Sequence, residues 1–168
     1  MMAIFLSLFS LLLDGILTNY LPYLKGDLTL FTPLFSVTFL LFLPSFYYKD
    51  IKMYYLHAFL FGMCYDLFYT NLLFFHGALF VILAFIMKWI YKNFEIRFWN
   101  IAIPVTFLVV LYESLFAGIL FSFHIVPITF SALLYKITHS ILLNIIYAEV
   151  LCLLLKFLPK KYKKKKIN

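Results

Sequence analysis

The sequence predicts an all-α integral membrane protein with six transmembrane helices in one domain. Of its 168 residues, 65% are hydrophobic and only 12% are charged, whereas an average soluble domain has about 25% charged residues. The apolar residues form continuous runs near the ~20 residues that a helix needs to cross a bilayer. These runs lack the alternation of lipid-facing and lumen-facing residues that marks the strands of a membrane β-barrel. The excess apolar surface is therefore expected to face lipid.

The six predicted helices cover residues 3–22, 28–47, 53–70, 73–91, 98–122 and 128–157. The third is the shortest, and the sixth is long enough to extend beyond the bilayer. The first run lacks the basic start and small-residue cleavage site of a signal peptide, so it is expected to remain as a helix. The organisation that follows is a single membrane domain over residues 1–158 and a basic tail over residues 159–168.

The positions of the basic residues predict the orientation. Lys49 and Lys52 follow the second helix, residues 88–97 hold three basic residues after the fourth, and residues 156–166 hold seven lysines. The opposite loops contain Lys25 beside Asp27. The positive-inside rule therefore places both termini in the cytoplasm. The lysine tail is expected to contact anionic lipid, and a nucleic-acid partner is not expected, because no folded basic domain accompanies it.

Six ionisable residues fall inside the predicted helices, where each needs a partner or water: Asp14, Asp66, Glu113, Lys136, His139 and Glu149. Asp14 and Asp66 both begin the pattern D-x-x-x-T-N-x-L, and ESLFAGIL from Glu113 is a weaker version of it. These matches indicate either a repeated two-helix unit or a chance similarity among apolar sequences.

Two contacts are predicted for these charges. Glu113 and Lys136 lie at similar depths from the same end of the fifth and sixth helices, so they are expected to pair, with His139 one turn further on. We interpret the pair as a lock between helices; a proton or ion pathway is the alternative. Asp66 lies near the end of the third helix, and we expect it to accept hydrogen bonds from the N–H groups that begin the fourth, near Leu73.

The sequence contains no motif that would support catalysis. HExxH, GxSxG, P-loop and dinucleotide-binding glycine patterns are all absent. Cys64 and Cys152 lie in apolar stretches without CxxC spacing, so neither a disulfide nor a metal site is expected. The sequence therefore favours a non-enzymatic protein without a cofactor.

A family resemblance begins at the stretch GMCYDLFYTNLLFFHGALFVILAFI, residues 62–86. It resembles the central signature of the rod shape-determining protein MreD family, with Gly62, Asp66, Leu73 and His76 at the characteristic places. Thr70 and Phe74 stand where that family has turn glycines. In the last helix, Ser140 and Asn144 match a family-like S-x-x-x-N.

The resemblance implies a fold like that of energy-coupling-factor transporter S components and a non-enzymatic role in the bacterial cytoplasmic membrane. Its implied partners are an MreC-like bitopic protein and other members of the complex that elongates the cell wall. The alternative is that the chain is itself a vitamin-binding S component, with outer polar residues as its ligand pocket. The small-residue docking motif usual in the first helix of S components is missing. Ala3 and Ser7 are followed, four residues further on, by the large residue Leu11. The residues expected to serve structure, partner or ligand are Asp14, Gly62, Asp66, Leu73, His76, Glu113, Lys136, His139, Ser140 and Asn144.

Overall fold

A computed structural model describes residues 2–25, 33–47, 50–70, 74–93, 98–123 and 129–157. The helices within these ranges are α1 (Met2–Lys25), α2 (Phe35–Phe39), α3 (Leu43–Phe46), α4 (Ile51–Tyr65), a π-helical segment (Asp66–Thr70), α5 (Phe75–Asn93), a 3-10 turn (Phe98–Asn100), α6 (Ala102–Ser122) and α7 (Phe130–Phe157). The described ranges contain no β-strand, and the predicted all-α class is confirmed. Leu73 and the lysine tail over residues 159–168 lie outside the described residues.

Within the described ranges, four helices are long and apolar enough to cross a membrane. The spans are Met2–Asn19 in α1, Phe75–Asn93 in α5, Ala102–Ser122 in α6 and Phe130–Lys156 in α7. Many of their large apolar side chains point away from the protein, as in Phe5, Phe85 and Ile103. Such a surface belongs against lipid rather than water. The chain is therefore a membrane protein.

The second predicted helix is not continuous, which corrects the prediction of one helix over 28–47. Residues 33–47 form the short helices α2 and α3 with a turn between them, and residues 28–32 lie outside the described residues. Pro44 lies in the first turn of α3, where a missing N–H costs little. Every residue from 33 to 44 is buried. Irregular backbone at membrane depth is tolerated only inside protein, and α2 packs between α1, α6 and α7.

The third predicted helix has a change of helical type near its end. Asp50 caps α4, because its side chain accepts a hydrogen bond from the Met53 N–H at 3.1 Å. The 15 residues of α4 then continue directly into the five residues of the π-helical segment. Such π segments are rare and often occur at functional sites. Here the segment begins at Asp66 and ends at Thr70, and α5 is the next helix in the chain.

Phe74 immediately precedes α5 and has a φ angle of 69°. This is the left-handed region, which costs an L-amino acid roughly 1–2 kcal/mol. The ring is 58% exposed and stacks on Phe59, with 6.4 Å between the ring centroids. This backbone conformation is one that glycine adopts without steric cost.

We expect Phe74→Gly to be more stable than Phe74→Ala by about 1 kcal/mol. Both variants remove the ring, but only glycine removes the cost of the left-handed backbone, and its greater freedom in the unfolded chain offsets part of the gain. The free energy of unfolding in mixed detergent micelles measures the difference. Equal stability of the two variants would show that the turn relaxes away from the left-handed conformation.

Candidate functional site

Asp66 connects α4 to the first turn of α5. Its Oδ2 accepts hydrogen bonds from the backbone N–H groups of His76, at 2.8 Å, and Gly77, at 3.4 Å. Its Oδ1 accepts from the Thr70 hydroxyl at 2.9 Å and lies 2.7 Å from His76 Nδ1. The carboxylate is 1% exposed. This geometry confirms the capping role predicted from the sequence, although the bonded groups lie two and three residues into the helix.

His76 extends the contact to a third helix. Its side chain is fully buried, and Nε2 lies 3.1 Å from the Tyr112 hydroxyl of α6. Because a carboxylate only accepts hydrogen bonds, Asp66 holds the proton on Nδ1, and in the neutral imidazole Nε2 then accepts from Tyr112. The chain Asp66–His76–Tyr112 therefore connects α4, α5 and α6 through buried polar atoms.

Gly62 brings the α4 and α5 backbones into direct contact. A Cβ at this position would lie 2.2 Å from the His76 carbonyl oxygen and 2.6 Å from its carbon. Small residues commonly permit such close approach between membrane helices. We refer to Gly62, Asp66, His76, Gly77 and Tyr112 as the Asp66 joint.

Asp14 caps the start of α2, as Asp66 caps the start of α5. Its Oδ1 accepts from the Phe35 N–H at 2.7 Å, and its Oδ2 accepts from the Ser36 N–H at 2.8 Å. Asn144 of α7 adds a third bond, since its Oδ1 accepts from the Leu34 N–H at 3.1 Å. Three successive N–H groups at the start of α2 thus bind side chains from two other helices. These bonds explain how so short a helix persists in the core.

The S-x-x-x-N motif positions this contact. Asn144 Nδ2 donates to the Ser140 carbonyl at 2.7 Å, while Asn144 Oδ1 also accepts from the Thr38 hydroxyl at 2.9 Å. The Ser140 hydroxyl donates to the Lys136 carbonyl at 2.8 Å. Ser140 and Asn144 are both fully buried, so the motif serves the junction of α7 with α2.

The predicted pair between Glu113 and Lys136 is confirmed, with Lys136 Nζ 3.0 Å from Glu113 Oε2. Glu113 is 1% exposed, whereas the Lys136 side chain is 41% exposed and its Nζ lies 5.4 Å from the centre of the Phe116 ring. The second oxygen of Glu113, Oε1, is buried and has no hydrogen-bond partner within the described part of the chain.

His139 is directed elsewhere, contrary to the expectation that it supports this pair. Its Nδ1 lies 2.7 Å from the Tyr135 carbonyl oxygen, and the two rings lie 3.9 Å apart between centroids. The reason is that helical side chains point back toward the start of their helix, which brings His139 to the preceding turn.

The acids that begin the D-x-x-x-T-N-x-L pattern and its weaker version each contact a helix that follows them in sequence. Asp14 on α1 binds the start of α2, and Asp66 after α4 binds the start of α5. Glu113 on α6 binds Lys136 in the second turn of α7. The two aspartates bind backbone N–H groups, whereas Glu113 binds a side chain.

Several polar contacts were missed by the sequence analysis. His57 is buried between the Tyr47 hydroxyl, 2.6 Å from its Nδ1, and the Ser7 hydroxyl, 3.1 Å from its Nε2. Tyr112 and Tyr147 also use their hydroxyls inside the bundle, on His76 and Ser10 respectively. Tyrosines surrounded by phenylalanine give no sequence signal that separates these roles from simple aromatic packing.

An apolar groove of about 460 Å³ lies along α1 and α7. Its floor includes Phe35 and Tyr147, whose rings stack at 4.1 Å between centroids. Aromatic and aliphatic side chains line the remainder. This chemistry suits a lipid tail or an apolar helix rather than a polar vitamin.

In the described ranges, no group of three or more His, Cys, Asp or Glu residues could hold a metal ion. Cys64 and Cys152 are free thiols.

Comparisons with family models, with curated proteins and with solved structures find no match. Fold and site therefore define the class: an all-α membrane protein whose helix starts are held by buried carboxylates.

Proposed function

We propose that this protein is a non-enzymatic component of the bacterial cell-wall elongation complex, which supports cell shape by binding an MreC-like bitopic partner in the cytoplasmic membrane. One observation carries the proposal. Gly62, Asp66 and His76, which occupy places of the MreD-like signature, converge on the Asp66 joint. Three of the residues that carry the resemblance thus act together at the junction of α4 and α5, while Ser140 and Asn144 act at the junction of α7 with α2.

The chemistry of the joint favours a scaffold over an enzyme. Both oxygens of Asp66 accept hydrogen bonds from the protein itself, and His76 is fully buried. A general base must instead come within hydrogen-bond reach of a substrate proton. The joint fixes the angle between α4 and α5, and a fixed angle gives a surface of defined shape for a partner.

We further propose that the chain crosses the membrane six times, in an arrangement like that of S components, with both termini in the cytoplasm. The two passes beyond the four apolar helices are α4 with its π-helical extension and the segment that contains α2 and α3. The twelve basic residues of the predicted cytoplasmic side support the orientation. Other members of the elongation complex are further expected partners.

Affinity purification from the native host in mild detergent tests the proposal. We expect an MreC-like bitopic protein to co-purify with the wild-type chain and with Gly118→Ala, where an added Cβ meets nothing within 4 Å. Depletion of the protein should turn rod-shaped cells round. A bound vitamin, detected by mass spectrometry together with ATP-driven transport subunits, would replace this proposal with the S-component alternative.

A further inference from the structure

Glu113 differs from the other two helix-holding carboxylates in one respect. Both oxygens of Asp14 and of Asp66 accept hydrogen bonds from the protein. Glu113 uses Oε2 for Lys136, while Oε1 is buried without a partner among the described residues. A buried acceptor that lacks a donor is costly, and such exceptions commonly mark a functional position.

Lys136 supplies the complementary feature. An ammonium has three N–H donors, and the half-exposed side chain reaches Glu113 with Nζ. Lys136 stands six residues after the start of α7, about 9 Å along the helix axis. A lysine at this depth extends its head toward the phosphate layer of the membrane. The pair therefore combines a buried acceptor with a cation on a half-exposed side chain.

We propose that Glu113 and Lys136 bind the headgroup of a membrane phospholipid that carries both a phosphate and a primary ammonium, the phosphoethanolamine class. The Lys136 ammonium donates to the phosphate, and the ammonium of the headgroup donates to Glu113 Oε1. Rotation of the half-exposed Lys136 side chain opens the path to that oxygen. The Lys136 ammonium lies over the face of the Phe116 ring, which attracts this cation.

Charge balance selects this headgroup over others. Glu113, Lys136, one phosphate and one ammonium sum to zero charge, which a low-dielectric environment favours. A phosphoglycerol headgroup would leave a net negative charge at the site. A phosphocholine headgroup has the same charges as phosphoethanolamine, but its quaternary ammonium has no N–H to donate to Glu113 Oε1.

Native mass spectrometry of the purified full chain tests the proposal with phosphatidylethanolamine and phosphatidylcholine of identical acyl chains. We expect the wild type to bind phosphatidylethanolamine about tenfold more tightly, the factor that ~1.4 kcal/mol provides. Glu113→Gln should reduce this preference, because a hydrogen bond from the ammonium to a neutral amide oxygen is weaker than one to a carboxylate. Equal binding of the two lipids by the wild type would overturn the proposal.

Lysine variants locate the site. Lys136→Gln should weaken phosphatidylethanolamine binding about tenfold, and Lys136→Arg should retain most of it. Lys88→Gln is the matched control, because Lys88 also lies over an aromatic ring, with Nζ 5.5 Å from the centre of the Tyr55 ring. Equal losses in Lys136→Gln and Lys88→Gln would refute the site. Displacement of the lipid by equimolar free O-phosphoethanolamine would refute a lipid as the ligand.

Discussion

Replacing Gly62 with alanine should destabilise the protein by about 3 kcal/mol or more, the upper range for an overpacked contact. The new Cβ would lie 2.2 Å from the His76 carbonyl oxygen and 2.8 Å from the Gly77 Cα, both of them backbone atoms. Neither atom can rotate away, so α5 must move as a unit. That movement also draws the His76 N–H away from the Asp66 carboxylate.

Gly118→Ala is the matched control for this effect. Both glycines lie inside α-helices, where alanine is intrinsically favoured by up to about 1 kcal/mol. Gly118 has open space around an added Cβ, so its variant should be as stable as the wild type or slightly more stable. Unfolding in mixed detergent micelles, followed by circular dichroism, measures both. If Gly62→Ala were as stable as Gly118→Ala, the backbones of α4 and α5 would not be in contact.

Asp66→Leu should cost about 3–5 kcal/mol, as expected when a buried charged network loses one member. Leucine leaves the N–H groups of His76 and Gly77 and the Nδ1 of His76 without their acceptor. Each buried donor without a partner costs roughly 1–3 kcal/mol. We expect a lower level of folded protein and weaker association with an MreC-like partner, both measurable in detergent extracts.

Asp66→Asn should be mild, because the amide can satisfy the same neighbours. Its oxygen accepts from the His76 and Gly77 N–H groups, and its NH₂ donates to His76 Nδ1, which moves the imidazole proton to Nε2 and reverses the bond to Tyr112. A folded Asn variant that loses all function would show that the charge of Asp66 is used directly. A Leu variant without effect on level or association would show that the cap contributes nothing.

The sequence predicted those features that depend on local composition and on helix geometry. The apolar content identified a membrane protein, and the depths of Glu113 and Lys136 predicted their ion pair. The position of Asp66 near a helix end predicted its cap. Each of these inferences uses residues whose partners lie within one helix or one hairpin, where spacing along the chain sets the distance in space.

The break between α2 and α3 was signalled by Pro44, which lies inside the predicted helix over 28–47 and begins α3. The apolar run FTPLFSVTFLLFLPSF nevertheless led to the prediction of one continuous helix, and the persistence of a helix as short as α2 could not be predicted. What stabilises the short helix is Asp14 from α1 and Asn144 from α7. Sequence gives no measure of that convergence, because Asn144 lies 110 residues after Leu34.

The cap on α2 also sets an order of events during synthesis. Leu34 receives its acceptor from Asn144, which is 110 residues later in the chain. At a translation rate of about 5–20 residues per second, the ribosome needs roughly 5–20 s to add those residues. During that time the α2 segment has Asp14 but lacks its second cap, and an incompletely bonded backbone is unfavourable in lipid. Completion of this core therefore waits until α7 has been made.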